Sequence, residues 1–259
     1  MKRVYKSQPE PEALERYRTK YPTESWEHFR RRSHYGYQQV KQQILRDQHG
    51  LCAYCEISIK LAEEEPEVDD FRVEHFYPKS ATTEHGHNYH LDWNNMLGVC
   101  HGGSQPYVPD AKWRYSQHKN DRSCDVPKGS KPISQLILNP LKIPGQKRLF
   151  CYTEHSGKML VDYDSCPKKL WRRAESTIKE LNLNAPRLMR MRLAVIQKLE
   201  DEIAAETAEG VPLEEVLTML AETCLVPNYE GTSLPFFSVI RWYLGEAAER
   251  VIAASGDKL

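Results

Sequence analysis

An α+β chain is predicted, with helices at both ends and a segment of short strands and loops between them. Three observations point to it. Helical apolar spacing runs through residues 9–50 and returns beyond Lys168, whereas 51–131 loses that spacing and fills with Cys, His, Asn, Gly and aromatic residues. Two short runs, FRVEHF and RLFCYTEHSGKMLVDY, alternate as strands do. The chain therefore divides into a helical lead-in at 1–50, a central module at 51–131, and a hairpin with helices at 132–259 that packs on the module or docks a partner.

In order, SWEHFRRRSHYGYQQVKQQILRDQHG sets Val40, Ile44 and Leu45 on one helical face, and Gly50 ends the run. EEEPEVDD, residues 63–70, reads as a polar loop; FRVEHF follows as a strand stopped by Pro78. LDWNNMLGVC reads as a loop entering a short buried segment at Leu97 and Val99. After ISQLILNPL comes the hairpin, with Ser156-Gly157 at its turn. Beyond Lys168 the expected helices are STIKELNLN, the run opened by Pro186, the run opened by Pro212, and one closing helix over LPFFSVIRWYLGEAAERVIAAS.

Composition narrows the function. At 259 residues the chain can bury a core without disulfide staples, and no run approaches the roughly 18 apolar residues of a membrane helix. MKRVYKSQPEPEALERY lacks the apolar core of a signal peptide, so a cytoplasmic location is expected. Seven cysteines in a reducing compartment are read as ligands or free thiols rather than bridges. Lys and Arg total 36, as do Asp and Glu, so net charge gives no support to nucleic-acid binding. Local distribution does, through Arg30-Arg31-Arg32, Lys168-Lys169 with Arg172-Arg173, and Arg187, Arg190 and Arg192; an ordinary solvated helix face is the plain alternative for each.

Cys52 and Cys55 form a C-x2-C knuckle whose turn aims two sulfurs at one cation, and with Cys100 and Cys124 they would close a tetrahedral structural zinc site. His101 and His118, within the 23 residues separating the last two cysteines, are alternative ligands. Cys151, Cys166 and Cys224 lack such company and read as core or free thiols. Glu74-His75 ends the presumed strand, so the two side chains leave on opposite faces, one able to hold a cation and the other to face water. Asn95 follows Trp93 as a loop-bracing amide, and Asp125 directly follows Cys124.

The order C-x2-C, Glu-His with Pro-Lys-Ser, Trp-x-Asn, Cys and Cys-Asp-x-x-Lys resembles the HNH, or ββα-metal, nucleases with a zinc knuckle. HGLCAYCE, VEHFYPKS, LDWNNMLGVCHGG, CDVPKG and ILNPL together are similar to the PtuB-type HNH nucleases of Septu and retron anti-phage systems, over about Trp26 to Arg192. That resemblance implies that 51–131 is the nuclease module, that His75 is the general base with Asn95 as its brace, and that Glu74 and Asp125 hold a catalytic magnesium or manganese ion. Glu74 stands where many such sites have Asp, and Asp125 where they have Asn or His; both keep hard oxygen donors. Lys79 and Lys128 are read as phosphate neutralisers or, equally, as surface lysines. The resemblance further implies a nucleic-acid substrate, a PtuA-type ATPase partner, and in a retron setting a reverse transcriptase with its RNA–DNA product.

Two other readings stand beside endonucleolytic defence. A zinc-stabilised nucleic-acid or protein-binding adaptor would leave Glu74-His75 structural, and exposure of His75 beside a second cation site discriminates the two. A restriction-type endonuclease working alone is disfavoured by the neutral charge and the lack of a base-reading motif. The residues do not distinguish DNA from RNA.

Overall fold

The computed structural model describes residues 1–62, 69–80, 86–108 and 110–256. The lead-in is three helices, α1 (Glu12–Lys20), α2 (Trp26–Arg32) and α3 (His34–Asp47). Ser25 starts α2 by accepting from the His28 backbone N–H through its hydroxyl (3.2 Å). Phe29 of α2 packs on Tyr17 of α1 and on Trp26 of its own helix, while Val40 and Ile44 of α3 are buried as their spacing predicts.

The chain then makes an antiparallel pair, β1 (Phe71–His75) with β2 (Met96–Cys100), in a register that sets Glu74 opposite Leu97 and His75 opposite Met96. FRVEHF is thus a strand, and the expected loop-to-buried-segment passage at LDWNNMLGVC is a short 3-10 turn feeding a wholly buried β2. Buried Gln48, after α3, clamps β2: its amide donates to the carbonyls of Gly98 (2.8 Å) and Leu51 (2.7 Å), and its Oε1 accepts from Gly98 N–H (2.7 Å). Position 98 must be small, because a Cβ there would lie 2.6 Å from Ile44 Cγ2. Most of EEEPEVDD, residues 63–68, lies outside the described residues. Its end is paired rather than free: half-buried Asp69 with Lys41, and buried Asp70 with Arg114 (2.7 Å).

Two four-residue helices follow, α4 (Ala111–Arg114) and α5 (Asp125–Lys128), then the hairpin β3 (Phe150–Tyr152) with β4 (Met159–Val161). Its turn spans 153–158, closed by Thr153 N–H donating to Lys158 O (3.0 Å). Gly157 has φ +63°, and a Cβ there would meet Met189 O at 2.3 Å. The C-terminal helices are α6 (Trp171–Glu180), α7 (Pro186–Ala208), α8 (Leu213–Leu225), α9 (Phe237–Tyr243) and α10 (Gly245–Ser255). The single closing helix expected from the sequence is two, because Gly245 takes a left-handed φ of +56° that breaks the run after Leu244.

The main core joins the lead-in, the β1–β2 pair, the hairpin and the start of α7; a second cluster joins α8, α9 and α10. Phe236, Phe237 and Ile240 of the closing run are buried in these cores. Two members of the third basic cluster are also interior. Arg187 is 1% exposed and donates from Nε to Asp121 O (3.2 Å) and from Nη2 to Ser123 Oγ; Arg192 donates to Leu183 O (2.6 Å). They tie α7 to neighbouring loops and are not a nucleic-acid surface, since buried guanidinium groups survive only where carbonyls and hydroxyls take their protons. Among the described residues, no helix is long and apolar enough to cross a membrane.

Candidate functional site

Cys52 and Cys55 sit in a tight turn after α3, in which Cys52 N–H donates to Ile57 O (2.9 Å) and Glu56 N–H to Cys52 O (3.0 Å). Cys100 ends β2, and Cys124 caps α5 with a positive φ of 62°. The four sulfurs are buried and lie within 4.8 Å of one another. Three separations are 3.6 Å (Cys55–Cys100), 3.7 Å (Cys100–Cys124) and 4.0 Å (Cys52–Cys124). A tetrahedron of metal–sulfur bonds of about 2.3 Å has edges of about 3.8 Å, so the sulfurs fit one zinc ion without rearrangement. Backbone N–H groups of Cys100 and Gly102 each donate to a sulfur at 3.4 Å, offsetting thiolate charge. Burial pushes the Cys52 and Cys124 thiols well up, while S–H groups converging on Cys100 pull that thiol well down. Of the alternative ligands, His101 donates to Asp69 O (2.9 Å), and exposed His118 caps a 3-10 turn. Neither joins the sulfur cluster.

The C-terminal helices help position this centre. Cys124 N–H donates to Leu181 O (2.8 Å), Asn182 Nδ2 donates to the carbonyls of Asn120 and Arg122 (both 2.8 Å), and Arg187 holds Ser123. Residues distant in sequence thus hold the loop carrying the fourth sulfur.

Beside the sulfur cluster, β1 and α5 face each other with crossed charges. Arg72 and Glu74 alternate onto one side of the strand, and Asp125 and Lys128 stand three apart on one helical turn. Lys128 donates to Glu74 Oε1 (2.6 Å); Arg72 Nη2 donates to Asp125 Oδ1 (2.9 Å), and its Nε lies 2.6 Å from Oδ2. Burial raises both acids, Asp125 to about 7, with Arg72 opposing and Glu74 adding to the rise at Asp125. Lys128 is therefore neither a surface lysine nor a free phosphate neutraliser: it is buried and paired.

His75 leaves the opposite face of β1. It is 5% exposed, its ring edge lies against Trp26 (centroids 5.3 Å apart), and Nε2 meets His90 O at 3.1 Å. A carbonyl only accepts, so Nε2 carries the proton and Nδ1 the lone pair; among the described residues no hydrogen bond engages Nδ1. Burial lowers the imidazole to about 3, keeping it neutral. His75 and Glu74 both line a solvent-open cleft with Glu27, Lys79, His90 and Gly129. Buried and hydrogen-bonded, His75 meets the condition that favours the adaptor reading, yet its buried ring edge and bonded Nε2 fix the tautomer of a group that lines the cleft with Glu74.

Asn95 spans the loop between the strands. Its Oδ1 accepts from Tyr77 N–H (2.7 Å), and its amide donates to the carbonyls of Tyr77 and Tyr89 (both 3.0 Å). Asn95→Asp removes both donors and sets a charge against two carbonyls, a change costing about 1–3 kcal/mol. A lower melting temperature together with at least tenfold weaker cutting is the expected outcome, measured by calorimetry and by nuclease assay; unchanged values in both would remove Asn95 from the site.

Sequence reasoning missed Arg72, His90, Trp26 and Glu27. Arg72 had a signal, lying two residues before Glu74 on the same strand face. His90, whose Nδ1 accepts from Trp26 N–H (3.2 Å), and Glu27, which pairs with Lys79, come from separate segments with no shared pattern.

No family model matches the chain. It is similar to an Escherichia coli protein assigned as the HNH endonuclease of retron Ec83, at 32% identity over 201 residues, covering 73% of this chain and 76% of that protein.

Proposed function

This chain belongs to the HNH endonucleases of retron systems, and from that premise we propose that it hydrolyses phosphodiester bonds at the Glu74–His75 cleft as a defence effector of the PtuB type. The reading rests on one observation above the rest: a neutral histidine, pinned through Nε2 with Nδ1 as its lone-pair nitrogen, shares a cleft with Glu74, which is buried beside Asp125. His75 takes the proton from water attacking phosphorus, and Asn95 keeps the loop before it in shape. Glu74 and Asp125 supply the two hard carboxylates that suit magnesium or manganese, ions that keep several waters of their own. Such a cation, when bound, stabilises charge on the phosphate and the leaving oxygen. The four cysteines hold a structural zinc with no open position.

In this reading β1, β2 and α5 form the ββα-metal unit, residues 51–131 are the nuclease module, 1–50 its lead-in, and 132–259 its helical annex. Control falls to a partner ATPase of the PtuA type, with a retron reverse transcriptase and its RNA–DNA product in the same assembly. The support for docking is an apolar groove beside α7 that includes Met191, Val195, Phe236 and Trp113, the last 64% exposed, an aromatic type favoured at interfaces.

The test is cleavage of labelled DNA and RNA by the chain co-expressed with its genomic neighbours. Glu74→Gln with Asp125→Asn is expected to abolish metal-stimulated cutting while zinc content stays at one per chain. Metal-stimulated cutting that survives this double change would refute the cation site.

A further inference from the structure

A second charged pocket lies apart from the nuclease cleft and shares no lining residue with it. It is small, about 20 Å³, and opens to solvent on one side, where the N-terminal segment, the loop before β3, and α9 with α10 meet. Five cationic side chains line it, Lys2, Arg3, Lys147, Arg148 and Arg241, and no carboxylate does among the described residues.

Two of the five are neutralised from behind. Arg241 donates from Nε and Nη2 to Glu249 (2.9 and 2.7 Å) and from Nη1 to Gly145 O (2.9 Å); Arg148 Nε lies 3.3 Å from Asp162 Oδ2. The others have no such partner among the described residues. Lys2 Nζ is sealed from solvent with no acceptor, and lies only over the Phe237 ring, 4.8 Å from its centroid. Arg3 Nε is likewise sealed and unpartnered, its guanidinium over the Tyr5 ring. Lys147 is exposed at the mouth. Burial lowers Lys2 to about 8, with Glu56 opposing.

A buried ammonium without an acceptor is unfavourable and is relieved by an anion. The pocket offers donors and no acceptors from its charged side chains, a combination that rejects carboxamides and cations and suits a tetrahedral oxyanion with several oxygens. Arg241, fixed on two sides, and Gly145, whose missing side chain leaves the Tyr5 hydroxyl in contact, give the pocket a rigid wall. We propose that this pocket binds the phosphate group of a nucleotide or of a nucleic-acid strand end, separately from the cleft that cuts. Its walls belong to both core clusters, with Phe150 in one and Phe237 and Ile252 in the other, so an occupant would brace the C-terminal helices against the rest.

The test titrates the full zinc-loaded chain with inorganic phosphate, against chloride at matched ionic strength, by isothermal calorimetry and thermal unfolding. Saturable one-to-one heat and a higher melting temperature are expected with phosphate alone. Arg3→Gln with Lys147→Gln should weaken binding by at least about tenfold, the scale of losing charge-assisted hydrogen bonds, while leaving zinc content and basal cutting unchanged. Should that variant fold poorly, Lys147→Glu at the exposed mouth gives the same reading. Competition by a nucleoside triphosphate or by a 5′-phosphorylated oligonucleotide, but not its unphosphorylated form, identifies the source. No saturation, competition by neither, or an affinity unmoved by these variants but abolished by Lys79→Gln in the cleft would overturn the site.

Discussion

His75→Gln is expected to lower the cutting rate by about a hundredfold to ten-thousandfold, the range for loss of a positioned base, with the melting temperature nearly unchanged. The glutamine amide can donate to His90 O as Nε2 does and fills similar space against Trp26, but it offers no basic nitrogen to water. His75→Ala should show the same kinetic loss and also a drop in melting temperature. The ring is buried against Trp26, so truncation opens a cavity and strips a carbonyl of its donor. Comparing the two variants separates chemistry from packing. Near-normal cutting by purified His75→Gln, assayed under conditions in which the wild type cuts, would sink His75 as the base.

How far the sequence carried depends on whether a feature is local. The C-x2-C turn, the alternation of FRVEHF, the hairpin and the Pro-opened helices each rest on residues within a few positions of one another, and each appears where its pattern lies. So does the convergence of Cys100 and Cys124 on the knuckle, because few structures other than a metal site gather four buried thiols. Charge was less legible. Arg187 and Arg192 stand in a helical run that reads as a basic face, yet their partners are carbonyls and a hydroxyl from loops far away, which no periodicity announces. Lys128 was read as a phosphate neutraliser or, equally, a surface lysine for the same reason. Its partner Glu74 is 54 residues away, and only the pairing of β1 with α5 makes them neighbours. The break at Gly245 was missed because apolar spacing continues across it, whereas a single left-handed residue turns the chain.

With the proposed zinc on the four cysteines, the same nonlocal support makes loss of that ion the most damaging change expected. Cys52→Ser and Cys124→Ser are each expected to lower bound zinc from one per chain toward zero and to take thermal stability and nuclease function with it. Structural zinc contributes about 10–16 kcal/mol of apparent binding free energy in small zinc domains, whereas a whole domain is stable by only about 5–15 kcal/mol. Losing even a fraction of the first quantity rivals all of the second. The consequence should spread beyond the knuckle, because Cys124 begins α5, which carries Asp125 and Lys128, and its N–H is tied to Leu181 at the end of α6. Cys52 likewise lies between α3 and β2, its turn bonded to Gly98 through Ala53. Cys166→Ser, by contrast, removes a buried thiol outside the cluster and should keep zinc and cutting. Elemental analysis, calorimetry and nuclease assays on the three variants decide it. Full zinc and full stability in Cys124→Ser would show that the fourth ligand lies elsewhere, and would return His101 and His118 to consideration.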